Sequence, residues 1–463
     1  MTDLHAADYR SPNQRAAAGP RGLPVLGSLL DFGKDQLGFL RRCAREHGDI
    51  VPLKLAGWPA LLVSDMASIE KILVRDHHAF VKNRVMWRHV AALFGQGLLT
   101  SEGDFWHRQR RLAAPPFAGR QLLDYGPDMV RLTRDQFAVW HDGQTINLHR
   151  HMMELTLRIA AKTLFDTEVA QDIRDMDHAV DDLVTEMAAR FKRPLLIPDW
   201  VPLPGHIRYR RAIATVEGVI ERIVAERRLS GDIALRRDLL SRLMAARDED
   251  GKPMSDRQLR DEAITMLLAG HETTALALSW TFHLLGKDPT AWQRIANEVD
   301  TIVGNRDPHV NDIARLGFTE AAIKEAMRLY PPAWVIGRES VAPFEIGGET
   351  YAAGTTIFVS QWVLHRDRRF FDDPDTFDPD RWMNGRLEQT LPRFAYMPFG
   401  GGPRICIGQR FAMIEAVLIL ATIAQRFTTQ AVAGREPTPF PSITLRPQGG
   451  VWARLSARPK KLH

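Results

Sequence analysis

The residues with chemical capacity in this 463-residue chain are few and grouped. One of its two cysteines, Cys406, ends the run Phe399-Gly400-Gly401-Gly402-Pro403-Arg404-Ile405-Cys406 and is followed by Ile407-Gly408. Three glycines and a proline give a tight backbone turn, and the apolar residues beyond it read as a helix from Gly408 to about Gln425. A thiolate at such a helix start is favoured by the helix dipole and by free N–H groups, which can also hydrogen-bond a metal-bound sulfur. Alone, Cys406 reads as an inert buried thiol; the turn makes it a candidate ligand. Cys43 is far away in sequence, so neither a CxxC zinc site nor a secreted disulfide framework is available.

A second group is Ala269-Gly270-His271-Glu272-Thr273-Thr274. Glycine within a helix costs about 1 kcal/mol relative to alanine. An acid and hydroxyls in an otherwise apolar helix also require partners. Taken alone, the segment reads as a kinked core helix with back-bonded threonines. His271 is expected to be exposed or satisfied. Glu325-x-x-Arg328 places opposite charges on one helix face. Trp106-x-x-x-Arg110 aligns an indole and a guanidinium in the same way.

The elements that must position these groups follow from the pattern. Residues 1–18 read as a flexible tail, and Gly19–Gly27 as an irregular lead-in. Ile50–Leu55 and Ala60–Val63 are predicted strands. Helical periodicity marks 128–140, 149–165, 172–192, 207–229 and 256–286, the last opened by a capping box from Ser255 to Gln258. Another helix, 319–330, is stopped by Pro331-Pro332. Residues 335–360 return to strands with turns at Gly347-Gly348 and Gly354, and 365–398 has little periodicity. The reading is mainly α with a small β portion (α+β), in one domain over 19–463.

Composition excludes several classes. Hydrophobic and charged fractions of 45% and 25% are those of an ordinary globular protein. The first residues hold no apolar run, and the richest stretch, Ala263 to Trp280, is broken by polar residues, so no membrane anchor is expected. The net charge of +5 is spread along the chain and excludes a nucleic-acid tail. It fits a mixed, solvated surface or a local basic face for an acidic partner.

The pattern Phe-x-x-Gly-x-Arg-x-Cys-x-Gly, complete at 399–408, resembles the haem-binding loop of the cytochromes P450. The other three groups occur in that family's order and spacing. The resemblance covers nearly the whole chain and implies the cytochrome P450 fold, with haem b buried between a long distal helix and the proximal cysteine loop. It implies that Cys406 ligates iron, with Phe399 packed by the sulfur, Gly408 closing the loop and Arg404 on a propionate. Trp106, Arg110 and Arg338 are further propionate partners. Ala269 and Gly270 leave room for O2, Thr273 contacts it, and Glu272 relays protons. Glu325, Arg328 and Arg381 are structural supports, and Asp380 stands where the family usually has Glu.

The resemblance also implies an O2-dependent monooxygenase whose apolar pocket draws on Met86, Trp87, Val90, Leu93 and Phe94. Met187 and Phe191 are expected in its roof, Leu267 and Ala269 on the long helix, and Trp334, Val335 and Ile336 after the double proline. A hydrophobic substrate is expected, terpenoid ahead of fatty acid or steroid. The chain ends soon after the haem-loop helix, so electrons are expected from NAD(P)H through a reductase and a separate acidic ferredoxin or flavodoxin. That partner is expected to dock on Arg108, Arg111, Arg393, Arg404 and Arg410. A cytoplasmic, bacterial monomer completes the expectation. Peroxide-driven or non-redox haem chemistry, or a haem sensor or carrier, are the alternatives; the Glu272-Thr273 pair argues for O2 activation.

Overall fold

Residues 19–167, 170–192 and 201–459 are described by the computed structural model. The expected tail, residues 1–18, lies outside them, as do the side chains of Met86 and Phe191. Two predicted strands form as β1 (Ile50–Leu55) and β2 (Trp58–Val63), paired antiparallel. They join β3 (Phe80–Val81), β4 (Ile336–Ser340) and β5 (Thr356–Val359) in a sheet of order β1-β2-β5-β4-β3. The β2–β5 pairing is parallel. Phe80 faces Ser340 and Val81 faces Glu339, a register that carries Lys82 on towards Arg338.

Helices supply the rest of the frame. α1 (Arg84–Phe94) and α2 (Gly103–Ala113) follow the sheet. Then come α3 (Leu148–Phe165), α4 (Ala170–Lys192), α5 (Pro204–Ser230), α6 (Asp256–Leu285), α7 (Gly317–Leu329) and α8 (Gln409–Ala424). A last ribbon pairs Thr438–Pro441 with β6 (Leu445–Gln448). The helix starts and ends fall within a few residues of the predicted ones. The capping box of α6 forms: Ser255 Oγ accepts from Gln258 N–H at 3.3 Å, and Gln258 Oε1 accepts from Ser255 N–H at 2.8 Å.

The burial of α6 decides where a site can lie. A helix covered on all sides belongs in a core. Its N-terminal half, Leu259 to Leu268, packs into one apolar cluster with α3, α4 and α5. Its C-terminal half, Ala275 to Leu285, packs into a second with α7 and α8. Neither cluster takes up residues 269–274. Ala269 is exposed in the middle of this otherwise buried helix, and Gly270, Glu272 and Thr273 are half-buried.

Candidate haem site

The loop holding Cys406 is shaped by its glycines. Gly402 has φ +68°, and a Cβ there would sit 1.9 Å from the Leu73 carbonyl oxygen, so no other residue fits. The Cys406 N–H donates to Phe399 O at 2.9 Å and closes the turn just before α8. Burial pushes the Cys406 thiol up, while the Gly408 N–H and the Arg110 guanidinium pull it back towards thiolate. Cys406 is nevertheless exposed, so it borders an open space within the molecule. Cys43 is a buried thiol of the core, pushed up to about 11 by burial.

Behind this loop a buried network holds it. Arg328 donates to both oxygens of Glu325, at 2.8 and 2.7 Å, with both side chains fully buried. Glu325 also accepts from Trp382 Nε1 at 2.8 Å and from Asp378 N–H at 3.0 Å. Arg381 Nε lies 3.4 Å from Glu325. Arg328 donates onward to His365 O at 2.8 Å, and His365 Nε2 accepts from Met397 N–H at 3.0 Å. Burial first, then Arg328, lowers His365 to about 3, so it stays a neutral acceptor. The sequence reading missed Trp382 and His365; neither carried a spacing signal. Asp380 takes no part, because it pairs with Arg294 at 2.6 Å.

On the rim of the same space, cations gather without enough anions. Lys82 follows directly on the strand pair that ends at Val81 and Glu339, and lies near enough to Arg338 for the two like charges to repel. Burial, then Arg404 and Arg338, hold Lys82 well below its usual range. Burial and Arg404 lower Arg338 to about 10. The Arg338 side chain bonds only its neighbour's carbonyl, Gly337 O, at 3.0 Å, and the Arg110 side chain makes no hydrogen bond or ion pair among the described residues. The one carboxylate in the cluster, Glu102, pairs with Arg404, which also donates to Ser101 O at 2.8 Å and lies 3.8 Å over the Trp106 ring. The chain therefore leaves Lys82, Arg110 and Arg338 for an anion of two carboxylates. The residues present fit a haem with its propionates at this rim. Lys82 and Glu102 were not foreseen, because their place depends on a sheet register and not on local spacing.

On α6, Gly270 presents open space: a Cβ there would meet nothing within 4 Å. Thr273 Oγ1 donates to Ala269 O at 2.8 Å. His271 is buried and satisfied, with Nδ1 3.1 Å from Leu267 O.

Several expectations are corrected. Glu272 does not face the open space as a free acid: it accepts from Thr444 Oγ1 at 2.7 Å and Arg446 Nε at 2.8 Å, on β6 and the turn before it. Burial raises its carboxyl, but Arg446 and Thr444 outweigh that and hold it below the ordinary value. Leu267 is fully buried in the core and lines nothing. Trp334 is also packed away, with its indole N–H on Ser442 O at 2.8 Å. Val90, Leu93, Phe94 and Met187 are buried in one cluster, with Trp87 at its edge. Val335 and Ile336 are half-buried beside their own clusters. In the docking set, Arg108 pairs with Asp248 and Arg111 with Glu249, while Arg404 is turned inward to Glu102. Arg393 and Arg410 remain exposed.

Comparison with known proteins agrees with this geometry. Residues 17–453 match the cytochrome P450 family model. The chain is 35% identical to cyclooctatin synthase of Streptomyces melanosporofaciens over 93% of this chain and 94% of that one. It is 36% identical to cyclooctat-9-en-7-ol 5-monooxygenase of the same organism, over 90% of each. It is 32% identical to pentalenene oxygenase of Streptomyces avermitilis, over 96% and 98%. The structure superposes on retinoic acid-bound cyanobacterial CYP120A1 with a TM-score of 0.82, at 24% identity, covering 96% and 99% of the two chains. The chain belongs to the cytochrome P450 family. It is a haem-dependent monooxygenase that uses O2 and electrons from partner proteins to oxidise a small hydrophobic substrate. Among the described residues no helix is long and apolar enough to cross a membrane.

Proposed function

We propose that this enzyme oxidises a terpenoid, at a haem held by Cys406 and by the cations of the rim. The observation that carries the site is the pairing of two features: a cysteine beside Arg110, in a group of cations with Lys82 and Arg338 that lacks matching anions, and an exposed Ala269 next to half-buried Gly270 in an otherwise buried helix. When bound, the haem supplies O2 activation at a thiolate-ligated iron. Lys82, Arg110 and Arg338 hold its propionates, and Trp106 keeps Arg404 flat at the rim. Ala269 and Gly270 leave the space that O2 and substrate share. The Thr273 hydroxyl, now back-bonded to Ala269 O, turns to hold a proton at that space. Glu272 serves first as the partner of Arg446, and reaches the proton path only by releasing it.

The terpenoid assignment rests on the names of the relatives, which include a cyclooctatenol monooxygenase and pentalenene oxygenase. We further propose one domain over 19–463 behind a tail of 1–18, working as a cytoplasmic monomer. An acidic ferredoxin or flavodoxin, fed by a reductase, is its electron donor, with Arg393 and Arg410 as the free cations of the docking face. The test is a panel of terpenoids, fatty acids and steroids, read by substrate-induced Soret shift and product mass. Tight binding and oxygenation of a terpenoid supports the reading. Turnover of a fatty acid or steroid with no response to any terpenoid overturns it. Thr273→Val should lower product per NAD(P)H consumed by about tenfold or more.

A further inference from the structure

Two carboxyls in the first half of α6 belong to no part of the site described so far. Asp261 and Glu262 are both buried, on the face that meets the connection between α1 and α2. Asp261 Oδ2 accepts from Gln96 N–H at 2.8 Å. Glu262 Oε2 accepts from Leu98 N–H at 3.1 Å, and its Oε1 accepts from Gln109 Nε2 on α2 at 3.1 Å. The fit is close: a Cβ on Gly95 would lie 2.3 Å from the Asp261 carboxylate, and one on Gly97 would lie 2.1 Å from Thr265 Oγ1. Four residues beyond Leu98 the same connection delivers Glu102. That residue pairs with Arg404 and accepts from Lys82 N–H at 3.0 Å, while Ser101 O accepts from Arg404 at 2.8 Å.

We propose that Glu262 is a positioning residue for the haem rim: with Asp261 it fixes the 95–102 connection to α6, and through Glu102 that connection sets the place of Arg404 two residues before the cysteine. The link runs from the distal helix to the proximal loop without passing through the substrate space. Its strength depends on the charge of Glu262. Burial raises this carboxyl to about 7, against the pull of the Leu98 N–H and Gln109. The groups facing it are Leu98 N–H from the connection, Gln109 from α2, and Asp261 on its own helix. Asp261 is itself paired with Arg260, which also bonds Glu217 on α5. An ionised carboxylate accepts from both donors more strongly than a neutral one. Burial outweighs that gain, since the carboxyl is raised, so the closed connection prefers protonated Glu262 and the clamp loosens as pH rises towards about 7.

The experiment uses the haem-loaded full chain and reads two regions. Hydrogen exchange at the Leu98 amide, corrected for the intrinsic rate, should show protection falling about tenfold between roughly pH 5 and 7 in the wild type. Glu262→Gln should remove that pH step. It should also increase, several-fold, the share of ferrous–CO complex that has lost its thiolate-type Soret band. Glu102→Gln should reproduce the spectral change and leave the Leu98 pH step intact, since it cuts the link downstream. If Glu262→Gln fails to fold, Gln109→Met removes one donor and should weaken Leu98 protection. The proposal is overturned if the pH step survives in Glu262→Gln. It is equally overturned if the step vanishes while the spectrum, in both Glu262→Gln and Glu102→Gln, stays that of the wild type.

Discussion

The two sides of the haem space use the same residue, glycine, for opposite reasons. On the proximal side Gly402 is required because backbone packs against it, with the Leu73 carbonyl where a Cβ would be. On the distal side Gly270 is present where a Cβ would meet nothing. One glycine is a condition of the fold, and the other keeps space for a ligand. The surroundings differ in the same sense. The proximal loop is backed by Glu325, Arg328, Trp382 and His365 in a closed set of buried hydrogen bonds. The distal stretch has an exposed alanine between two apolar clusters. Changes behind the proximal loop should therefore cost folding, and changes on the distal stretch should cost chemistry.

Arg328→Leu should have the largest effect. It leaves Glu325 charged, buried and short of its strongest partner, a loss of about 3–5 kcal/mol, measurable by urea unfolding and by failure to retain haem. Gly402→Ala should cost about 3 kcal/mol by the same assay, since backbone strain and overlap with Leu73 O add. A wild-type-like stability in either variant would erase the contrast.

Two acids on opposite sides of the distal stretch sharpen it through pH. Glu272 is held below its ordinary value, so its stabilisation is present above the unfolded glutamate pKa and is lost as pH falls through the folded value. Glu272→Gln should cost about 1.5–3 kcal/mol at pH 7 and nothing in strong acid. Glu415, on α8 against Thr274, is raised to about 8 by burial. Its neutral form is the one the fold prefers, so stability declines as pH rises from the unfolded value through about 8. Glu415→Gln should flatten that decline. The unfolding free energy followed across pH checks both slopes. The smallest effect on folding is Gly270→Ala. Helix propensity predicts a gain of about 1 kcal/mol, while the methyl enters the shared space and lowers turnover.

Legibility followed the range of the interactions. The 399–408 loop and the 269–274 stretch were readable because turn, ligand and helix start lie within ten residues of each other. The capping box at Ser255 and the helix bounds were readable for the same reason. Lys82 was not, because only the pairing of β3 with β4 brings it to Arg338. Nor was the diversion of Glu272 to Arg446, which lies far along the chain on a short ribbon. Arg108 and Arg111 read as free surface charges until a loop supplied Asp248 and Glu249.

The measurement closest to the central claim is the ferrous–CO spectrum of Cys406→His in the haem-loaded protein. The account predicts that the thiolate-type Soret band of the wild type disappears and a histidine-type band replaces it. A thiolate-type band persisting in the variant would contradict the assignment of Cys406 as the ligand.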